Sequence, residues 1–410
     1  MRRGLIGYPL GHSFSKPIHE YLTGLPYEIH EVEASDLDTF LKEKDFEGIN
    51  VTIPYKEKVI PYLDDLDYAV KKIGACNCIV NKNGHLKGYN TDADGFRWSI
   101  TKHAVEISNK TVAIIGAGGA SKAVRAVVES LNPKIIYQTD IVSKNGTITN
   151  EELLKYADEI EVLINTTPCG MYPKVDNVAV DIKNFKNVSW VIDVVYNPLK
   201  TKLVLEAEEL GIKTLGGIEM LVAQAYIAAE YFNEARIDED KVETCLKNII
   251  SQKRNLVLIG MPSSGKTTIS NLLAKELNLK VIDMDQEIVK RCNKEIKDIF
   301  KDEGEAFFRN KETELSYELG LLNGFIISTG GGIIKNKANI ENLKRNGIII
   351  YLQRDFDKLV TTDDRPLSSN SADLLKVYEE RKDIYPKYAD LVIDNNGDIN
   401  DTIKQIINLI

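Results

Sequence analysis

Residues 255–267 read NLVLIGMPSSGKT, and they decide the fold of the C-terminal part of the chain. NLVLIG is a short apolar run, which is typical of a parallel strand buried on both faces. The next residues, Gly260–Thr267, match the pattern G-x-x-x-x-G-K-[ST]. Beyond them, apolar residues recur at helical spacing: Ile269, Leu272, Leu273 and Leu277. A strand, a glycine loop and a helix in this order predict an α/β domain that binds the phosphates of ATP or GTP.

Each residue type in this loop has a physical reason to be there. Backbone N–H groups cradle the phosphates, the Lys266 amine reaches the β- and γ-phosphates, and the Thr267 hydroxyl is a ligand for Mg²⁺. We expect the nucleotide to contact Gly260, Ser264, Gly265, Lys266, Thr267 and Thr268. Ser263 stands where such loops commonly carry a glycine.

A second strand, glycine turn and helix precede this one in the chain. TVAIIG at 111–116 reads as a buried strand and GAGGAS as a tight turn. The apolar stripe of the next helix consists of Val124, Val127, Val128 and Leu131. This order is typical of a Rossmann-like dinucleotide domain, whose helix N-terminus holds the pyrophosphate. The expected contacts are Gly116, Gly118, Gly119 and Ala120.

Length and composition limit the number of domains and the kinds of partner that this chain can have. A chain of 410 residues suggests two or three cores at about 150 residues each. The net charge of −9 argues against a nucleic-acid partner, which needs a basic face. No apolar run approaches the ~18 residues of a membrane span, so we expect no membrane partner. The five cysteines are an odd number without a secretory start, which predicts reduced thiols and a cytoplasmic protein.

Four polar clusters lie in the N-terminal part. INVTIPYKE at 49–57 alternates apolar and polar residues, and taken alone it predicts an amphipathic edge strand with a solvated lysine. The other clusters are GHSFSKP at 11–17, GACN at 74–77 and GYNTDADG at 88–95. Together, in this order, they make a binding site the better interpretation.

These clusters resemble the shikimate dehydrogenase family, and the resemblance runs from about residue 3 to about 250. It implies Lys56 and Asp92 as catalytic residues. It implies substrate contacts at Ser13, Ser15, Asn50, Thr52, Asn77, Tyr196 and Gln224, the last two in VYNPLKT and GGIEMLVAQA. It also implies that the cofactor contacts Asn165, Thr166, Gly217 and Met220.

The chemistry fits these residue types. Reduction of a ring ketone needs a hydride at carbon and a proton at the developing alkoxide, and a lysine beside an aspartate supplies the proton. The alternative for Lys56 and Asp92 is an ordinary surface ion pair.

The choice between NADP(H) and NAD(H) stays open. NADP-dependent members of the resembled family carry N-R-[ST] after the next strand, but this chain has Tyr137-Gln138-Thr139-Asp140, without arginine. An acidic residue roughly 20 positions beyond the glycines binds the free ribose hydroxyl of NAD, and Asp140 lies in that range. Alternatively, Asp140 only caps a turn, and Lys144 is the nearest basic residue for NADP.

Four further motifs follow the phosphate loop: VIDMD, FFRNKE, STGGG and DRPLS, with YEERKDIYPKYAD after them. Because Asp283 and Asp285 are two positions apart, an extended chain would present them on one face. The set resembles shikimate kinase over nearly all of 254–395. The resemblance implies that Asp285 is the base and a substrate contact and that Asp283 lies near Mg²⁺. It implies that Arg309 and Arg381 bind the substrate carboxylate and that Gly331 and Gly332 lie against the ring. It also implies that Arg365 belongs to a lid over the transferred phosphate.

We therefore expect an α/β chain with three domains. A substrate domain covers 1–100 plus about 218–252, a Rossmann-like NAD(P) domain covers 101–217, and a P-loop domain similar to nucleoside-monophosphate kinases covers 253–410. A helix is predicted near 238–252, without a flexible tether.

The resemblance implies reduction of 3-dehydroshikimate to shikimate, then its phosphorylation by ATP with Mg²⁺. Two alternatives are a kinase with a degenerate dehydrogenase domain as ligand sensor, and an oxidative quinate/shikimate dehydrogenase. The sequence does not indicate an oligomeric state.

Overall fold

The computed structural model describes residues 2–10, 13–143, 146–359 and 371–410. Arg365 and Lys144 lie outside these residues. The chain divides into two compact units, residues 1–249 and 250–410.

The first sheet of the N-terminal unit is built from residues 3–89. Its strands have the order β2-β1-β3-β5-β6-β4. Neighbouring strands are parallel, except that β5 pairs antiparallel with both β3 and β6. In chain order the elements are β1 (Arg3–Gly7), α1 (Ser15–Thr23), β2 (Glu28–Glu31), α2 (Leu37–Glu43), β3 (Gly48–Val51), β4 (Asp65–Leu66), α3 (Tyr68–Ile73), β5 (Cys78–Lys82), β6 (His85–Tyr89) and α4 (Thr91–Lys102).

A parallel sheet of order β11-β10-β9-β7-β8 follows in the same unit. It is built from β7 (Thr111–Ile115), α5 (Gly119–Ser130), β8 (Ile135–Thr139), α6 (Asn150–Leu153), β9 (Val162–Asn165), β10 (Trp190–Asp193), α7 (Lys202–Glu209) and β11 (Lys213–Leu215), with α8 (Ile218–Asn233) and α9 (Glu239–Lys253) after it. All of β7 is buried, because apolar clusters cover both faces of the sheet. The predicted glycine turn follows β7, which lies between β8 and β9.

The C-terminal unit contains a parallel sheet of order β13-β14-β12-β15-β16. Its elements are β12 (Asn255–Ile259), α10 (Lys266–Leu277), β13 (Lys280–Asp283), α11 (Met284–Cys292), α12 (Ile296–Asp302), α13 (Glu305–Gly320), β14 (Phe325–Ser328), α14 (Lys337–Lys344), β15 (Gly347–Gln353), α15 (Ser371–Arg381), α16 (Tyr385–Tyr388), β16 (Leu391–Asp394) and α17 (Ile399–Leu409). The central strand β12 leads directly into the glycine loop. The carboxyl end of such a strand is where open α/β sheets bind ligands.

The structure confirms the predicted α/β class and both strand–turn–helix units. It also confirms the helix near 238–252, observed as α9. The edge strand that residues 49–57 suggest when taken alone is not observed, because β3 is an interior strand that ends at Val51. Ile53 is 74% exposed, so the apolar alternation does not continue as a strand. Cys76 and Cys78 are free and buried. None of the helices in the described ranges is both long and apolar enough to span a bilayer.

Candidate active sites

The first site is centred on an ion pair between Lys56 and Asp92. Lys56 lies in the turn after β3, and Asp92 lies in the first turn of α4. The Lys56 Nζ is 2.6 Å from Asp92 Oδ2, and the side chains are 17% and 11% exposed. An ordinary surface pair is far more solvated. The structure thus brings the two predicted catalytic residues together in a sheltered position.

The start of α4 is held by buried amides. Asn90 caps the helix, with Oδ1 accepting from the Ala93 N–H at 3.2 Å. Asn77 accepts from the Thr91 N–H at 2.7 Å and donates to the Thr91 hydroxyl at 3.0 Å. These bonds fix the backbone on either side of Asp92, which orients its carboxylate. Thr91 was missed as a positioning residue, although it belongs to the motif that identified Asp92.

Asn50 belongs to the same buried network. Its Oδ1 accepts from the Tyr27 hydroxyl at 2.8 Å, and its Nδ2 donates to the Asn77 carbonyl at 3.3 Å. Thr52 follows β3 and packs on β1: a Cβ at Gly7 would lie 2.6 Å from its Cγ2. The first strand therefore needs glycine here, because Thr52 occupies the space.

The other predicted substrate residues approach from different elements. The Ser15 N–H donates to Ser13 Oγ at 3.2 Å, and the Phe14 ring between them contacts the edge of Tyr196, with centroids 6.4 Å apart. Burial raises the pKa of Tyr196, so its phenol stays protonated and can donate a hydrogen bond. The structure thereby joins the N-terminal serines to the VYNPLKT loop.

Gln224 and Met220 lie on α8, which packs closely on α4. A Cβ at Gly95 would lie 2.8 Å from the Gln224 nitrogen and 2.9 Å from the Met220 carbonyl oxygen. Glycine at position 95 therefore allows α8 to approach the helix that carries Asp92. The Gln224 Nε2 donates to the Leu221 carbonyl at 2.8 Å.

The glycine turn of the dinucleotide sheet lies beside Lys56. Gly116 has a φ of +107°, and a Cβ there would lie 2.8 Å from Thr166 Oγ1. A Cβ at Gly119, the first residue of α5, would lie 3.8 Å from Lys56 Cδ. Lys122 on α5 also pairs with Glu57 at 2.7 Å. The predicted pyrophosphate turn and the predicted proton donor are therefore neighbours.

The region after β8 has little basic character among the described residues. Asp140 Oδ1 accepts from the Ile141 N–H at 2.8 Å. This bond favours the alternative in which Asp140 caps a turn. Arg125 on α5 was missed by the sequence reasoning. It donates to Gln138 Oε1 at 2.6 Å and to Glu129 at 2.8 Å, so its guanidinium is engaged within the protein.

The second site is a cavity of about 330 Å³ in the C-terminal unit. The structure gathers most of the predicted kinase residues around it: Gly265, Lys266, Thr267, Thr268, Asp283, Asp285, Arg309, Gly331, Gly332 and Arg381. Gly260 and Ser264 lie in the same loop but do not line the cavity. Ser264 is instead fully buried, and its backbone carbonyl accepts from Asn395 Nδ2 at 2.6 Å.

The phosphate loop is in a left-handed conformation at several positions. Ser263 has a φ of +63° and Gly265 a φ of +91°. The Lys266 Nζ donates to the carbonyls of Gly260 at 3.0 Å and Met261 at 2.9 Å. These bonds tie the lysine to the loop that it is expected to share with the nucleotide.

Asp283 and Asp285 both line the cavity, but not on one extended segment. Asp283 ends β13, and its Oδ1 accepts from the N–H groups of Asp285 at 3.1 Å and Gln286 at 3.3 Å. This capping starts α11 at Met284, so Asp285 is helical. The expectation of an extended chain is therefore wrong. A Cβ at Gly330 would lie 2.7 Å from Asp285 Oδ1, which leaves the carboxylate facing the glycine run.

Two arginines approach that glycine run. Arg381 is 3% exposed and donates from Nη1 to the Gly331 carbonyl at 2.8 Å. Its buried Nε has no hydrogen-bond partner within the described part of the chain. The Arg309 guanidinium leaves no space for a Cβ at Gly332. Both cations thus face the cavity, where an anionic group can meet them.

Glu312 is a site residue that the sequence reasoning passed over. It is the last residue of the F-R-x-x-E motif, it is 1% exposed, and it accepts a hydrogen bond from Arg309 Nη1. Burial raises the pKa of its carboxyl to about 7, against the opposing charge of Arg309. Its motif position was the available signal.

The oxygen atoms next to the loop suit a magnesium ion bound with a nucleotide. Thr267 Oγ1 donates to Asp283 Oδ2 at 2.8 Å, so a hydroxyl and a carboxylate converge at the start of α10. The described residues contain no cluster of three His, Cys, Asp or Glu side chains that could hold a metal by themselves. Mg²⁺ commonly takes one or two protein oxygens and completes its shell with phosphates and water.

Comparisons with known proteins assign both parts of the chain. The family model described as shikimate dehydrogenase substrate binding domain matches residues 5–79, and the shikimate kinase model matches residues 262–410. A relative from Methanosphaera stadtmanae, described as shikimate dehydrogenase (NADP(+)), is 38% identical over 256 residues, which are 56% of this chain and 90% of the relative.

Solved structures agree. A chorismate mutase/shikimate 5-dehydrogenase fusion protein from Clostridium acetobutylicum is 34% identical with a TM-score of 0.57, covering 60% of this chain and 96% of its own. Shikimate 5-dehydrogenase from Listeria monocytogenes, in complex with shikimate and NAD, is 29% identical with a TM-score of 0.51, covering 60% and 96%. The chain belongs to the shikimate dehydrogenase family and carries a shikimate kinase domain after it, so it is a dehydrogenase–kinase fusion.

Proposed function

We propose that the N-terminal unit reduces 3-dehydroshikimate to shikimate and that the C-terminal unit phosphorylates the 3-hydroxyl of shikimate with ATP. The observation that carries the first activity is the sheltered Lys56–Asp92 pair, 2.6 Å apart beside the glycine turn. The observation that carries the second is the cavity shared by the phosphate loop, Asp285 and two arginines.

In the dehydrogenase site, the reduced nicotinamide supplies the hydride. Lys56 donates a proton to the oxygen that becomes negative, and Asp92 holds the amine in place and balances its charge. Ser13 and Ser15 hold the carboxylate of the ring, and Asn50, Thr52, Asn77, Tyr196 and Gln224 orient its hydroxyls. Asn165, Thr166, Gly217 and Met220 border the cofactor, with Gly116, Gly118, Gly119 and Ala120 at its pyrophosphate.

In the kinase site, Arg309 and Arg381 hold the substrate carboxylate, because a guanidinium presents paired donors to a planar anion. Asp285 accepts the proton of the attacking hydroxyl, and Lys266 neutralises phosphate charge. Gly331 and Gly332 let the backbone approach the ring. Thr267 and Asp283 would hold Mg²⁺, which neutralises charge on the phosphates.

For the dehydrogenase cofactor we propose NADP(H), with NAD(H) as the alternative. The relative from Methanosphaera is described as NADP(+)-dependent, whereas the Listeria enzyme was solved with NAD. Asp140 supports NAD, because a carboxylate repels a 2′-phosphate. The test is kcat/KM for NADPH against NADH, in the chain and in Asp140→Asn. A preference for NADH that Asp140→Asn weakens would overturn the NADP(H) proposal.

The kinase assignment is tested by Arg309→Ala and Arg381→Ala. Loss of a charge-assisted hydrogen bond costs about 1.5–3 kcal/mol, so we expect KM for shikimate to rise roughly 10- to 150-fold, with KM for ATP nearly unchanged. Arg291→Ala is the matched control, because Arg291 pairs with Glu287 and Glu318 on the surface. A larger effect on ATP than on shikimate would refute the carboxylate role.

A further inference from the structure

Asp193 is a buried carboxylate that none of the proposed steps uses. It is the last residue of β10, and its side chain is fully shielded from solvent. Oδ1 accepts from Asn165 Nδ2 and from the Val195 N–H, both at 3.0 Å, and Oδ2 accepts from Thr201 Oγ1 at 2.6 Å. Three donors therefore meet on one side chain, one from the end of β9 and two from the loop that follows β10.

The Asn165 contact leads to the phosphate turn. Asn165 Oδ1 accepts from the Thr167 N–H at 3.1 Å and from its hydroxyl at 2.7 Å. Thr167 Cγ2 in turn lies 2.9 Å from where a Cβ of Gly116 would be. The position of Asn165 thus determines how the 165–167 loop closes over the glycine turn.

The Val195 and Thr201 contacts lead to the substrate side. They hold both ends of the VYNPLKT loop, which carries Tyr196. The start of α8 packs on the same loop, because the backbone of Val194 and Val195 leaves no space for a Cβ at Gly217. Met220 lies one turn further along α8.

We propose that Asp193 is a positioning residue for hydride transfer: its three hydrogen bonds hold the 165–167 loop at a fixed distance from the VYNPLKT loop, against which the start of α8 packs. This inference rests on the proposed reduction of 3-dehydroshikimate. Hydride transfer needs the donor and acceptor carbons close together, and a displacement of about 1 Å can cost about 10²-fold in rate.

The chemistry of the carboxylate supports this role. Burial raises the pKa of Asp193 to about 6, against the three hydrogen bonds that favour the charged form. At neutral pH the group is ionised and accepts from all three donors. Asp193→Ala removes all three acceptor contacts, whereas in Asp193→Asn the amide oxygen can still accept from Asn165 Nδ2 and the Val195 N–H, and the Thr201 hydroxyl can accept from the new N–H₂ group.

The test is single-turnover reduction of 3-dehydroshikimate by NADPH in a stopped-flow instrument, with the full chain in excess. In this experiment the rate constant reports the geometry of each active site, and the amplitude reports the fraction of active sites. We expect Asp193→Ala to lower the rate constant roughly 10- to 100-fold while the amplitude stays near that of the unaltered chain, and Asp193→Asn, which can keep the three contacts, to recover most of the rate constant. Thr201→Ser keeps the hydroxyl and is the matched control, with an unchanged rate constant.

A rate constant for Asp193→Ala within twofold of the unaltered chain would overturn the inference, as would a loss of amplitude alone, which is the signature of a merely structural role. If Asp193→Ala does not fold, Thr201→Val decides by the same criteria: it removes the donor to Oδ2 together with the acceptor for the Val204 N–H at the start of α7, and Thr201→Ser keeps both bonds. Absence of hydride transfer in the unaltered chain with NADPH and also with NADH would refute the proposed reduction itself, which is a different result.

Discussion

At the scale of single residues, burial distinguishes the proposed catalytic ion pair from ion pairs on the surface. Lys102–Glu243 and Lys122–Glu57 are each 2.7 Å apart, nearly as close as Lys56 and Asp92, yet their side chains are 28–58% exposed. The Lys56–Asp92 pair is less exposed than either and lies beside the glycine turn. Location and shielding, rather than distance alone, support its proposed role in proton transfer.

Replacing Lys56 removes the proposed proton donor. We expect Lys56→Ala to lower kcat for 3-dehydroshikimate reduction by about 10²–10⁴-fold, with a smaller change in substrate affinity and unaltered kinase activity. Lys58→Ala is the control, because Lys58 is exposed two positions further on. Steady-state kinetics of both activities give the answer, and a Lys56→Ala variant with normal kcat contradicts the assignment.

Ser263 stands where phosphate loops commonly carry a glycine, and its backbone conformation should lower the free energy of unfolding by a measurable amount. A non-glycine residue at a φ of +63° loses about 1–2 kcal/mol relative to ordinary backbone, while glycine loses about 0.5–1 kcal/mol more chain entropy on folding. We therefore expect Ser263→Gly to raise the free energy of unfolding by about 0.5–1 kcal/mol, measured by urea denaturation. Gly265→Ala, at a φ of +91°, should act in the opposite direction. A destabilised Ser263→Gly would contradict the strain.

At the scale of elements, helix α13 organises the kinase site. Glu305, Arg309 and Glu312 lie at helical spacing on one face, so Arg309 is paired with both carboxylates. Asp285 and Arg381 also act on the Glu312 carboxyl, and a Cβ at Gly330 would lie 3.0 Å from its Oε1. The helix holds the guanidinium ready for a substrate anion, but Glu312 competes for the same cation.

This competition predicts a pH dependence of shikimate binding. Burial raises the pKa of Glu312 to about 7, and a substrate carboxylate at Arg309 would raise it further, so binding takes up a proton. Affinity should then tighten as the pH falls from about 8 to about 6, by up to roughly tenfold for each unit of additional pKa shift. Calorimetric titrations in buffers of different ionisation enthalpy measure the uptake.

Glu312→Gln is the decisive comparison for that titration. It cannot ionise, so its shikimate affinity should be nearly constant over the same pH range, with no proton uptake at this position. A wild-type affinity that does not change with pH, or an equal pH dependence in Glu312→Gln, would contradict the coupling.

Elements with a local signal could be predicted from the sequence. The two glycine turns, their strands and helices, and α9 follow from apolar spacing and turn residues alone. The end of β3 at Val51 could not be predicted, because the alternation continues to Tyr55 while the chain turns. The helical position of Asp285 depends on capping by the Asp283 side chain, which alternation does not reveal. Thr91, Glu312 and Asp193 act through contacts made only after folding.

At the scale of the whole molecule, the chain combines two units whose proposed ligands overlap. Each unit has a glycine loop at the end of a central parallel strand, and each gathers polar groups suited to a carboxylated, hydroxylated ring. The proposed product of the first unit is the proposed substrate of the second. Replacing Lys266 should therefore impair only the phosphorylation of shikimate. Replacing Lys56 should impair only the reduction of 3-dehydroshikimate.

We expect one chain to carry out both proposed reactions in sequence. The most direct measurement supplies the purified chain with 3-dehydroshikimate, ATP, Mg²⁺ and either NADPH or NADH, while cofactor oxidation and ADP formation are followed together. We expect oxidation with at least one cofactor, followed by ADP formation that approaches one ADP per cofactor oxidised; Lys266→Ala should abolish only the ADP. No oxidation with either cofactor, while added shikimate still supports ADP formation, would contradict the account and favour a kinase with a ligand-sensing dehydrogenase domain.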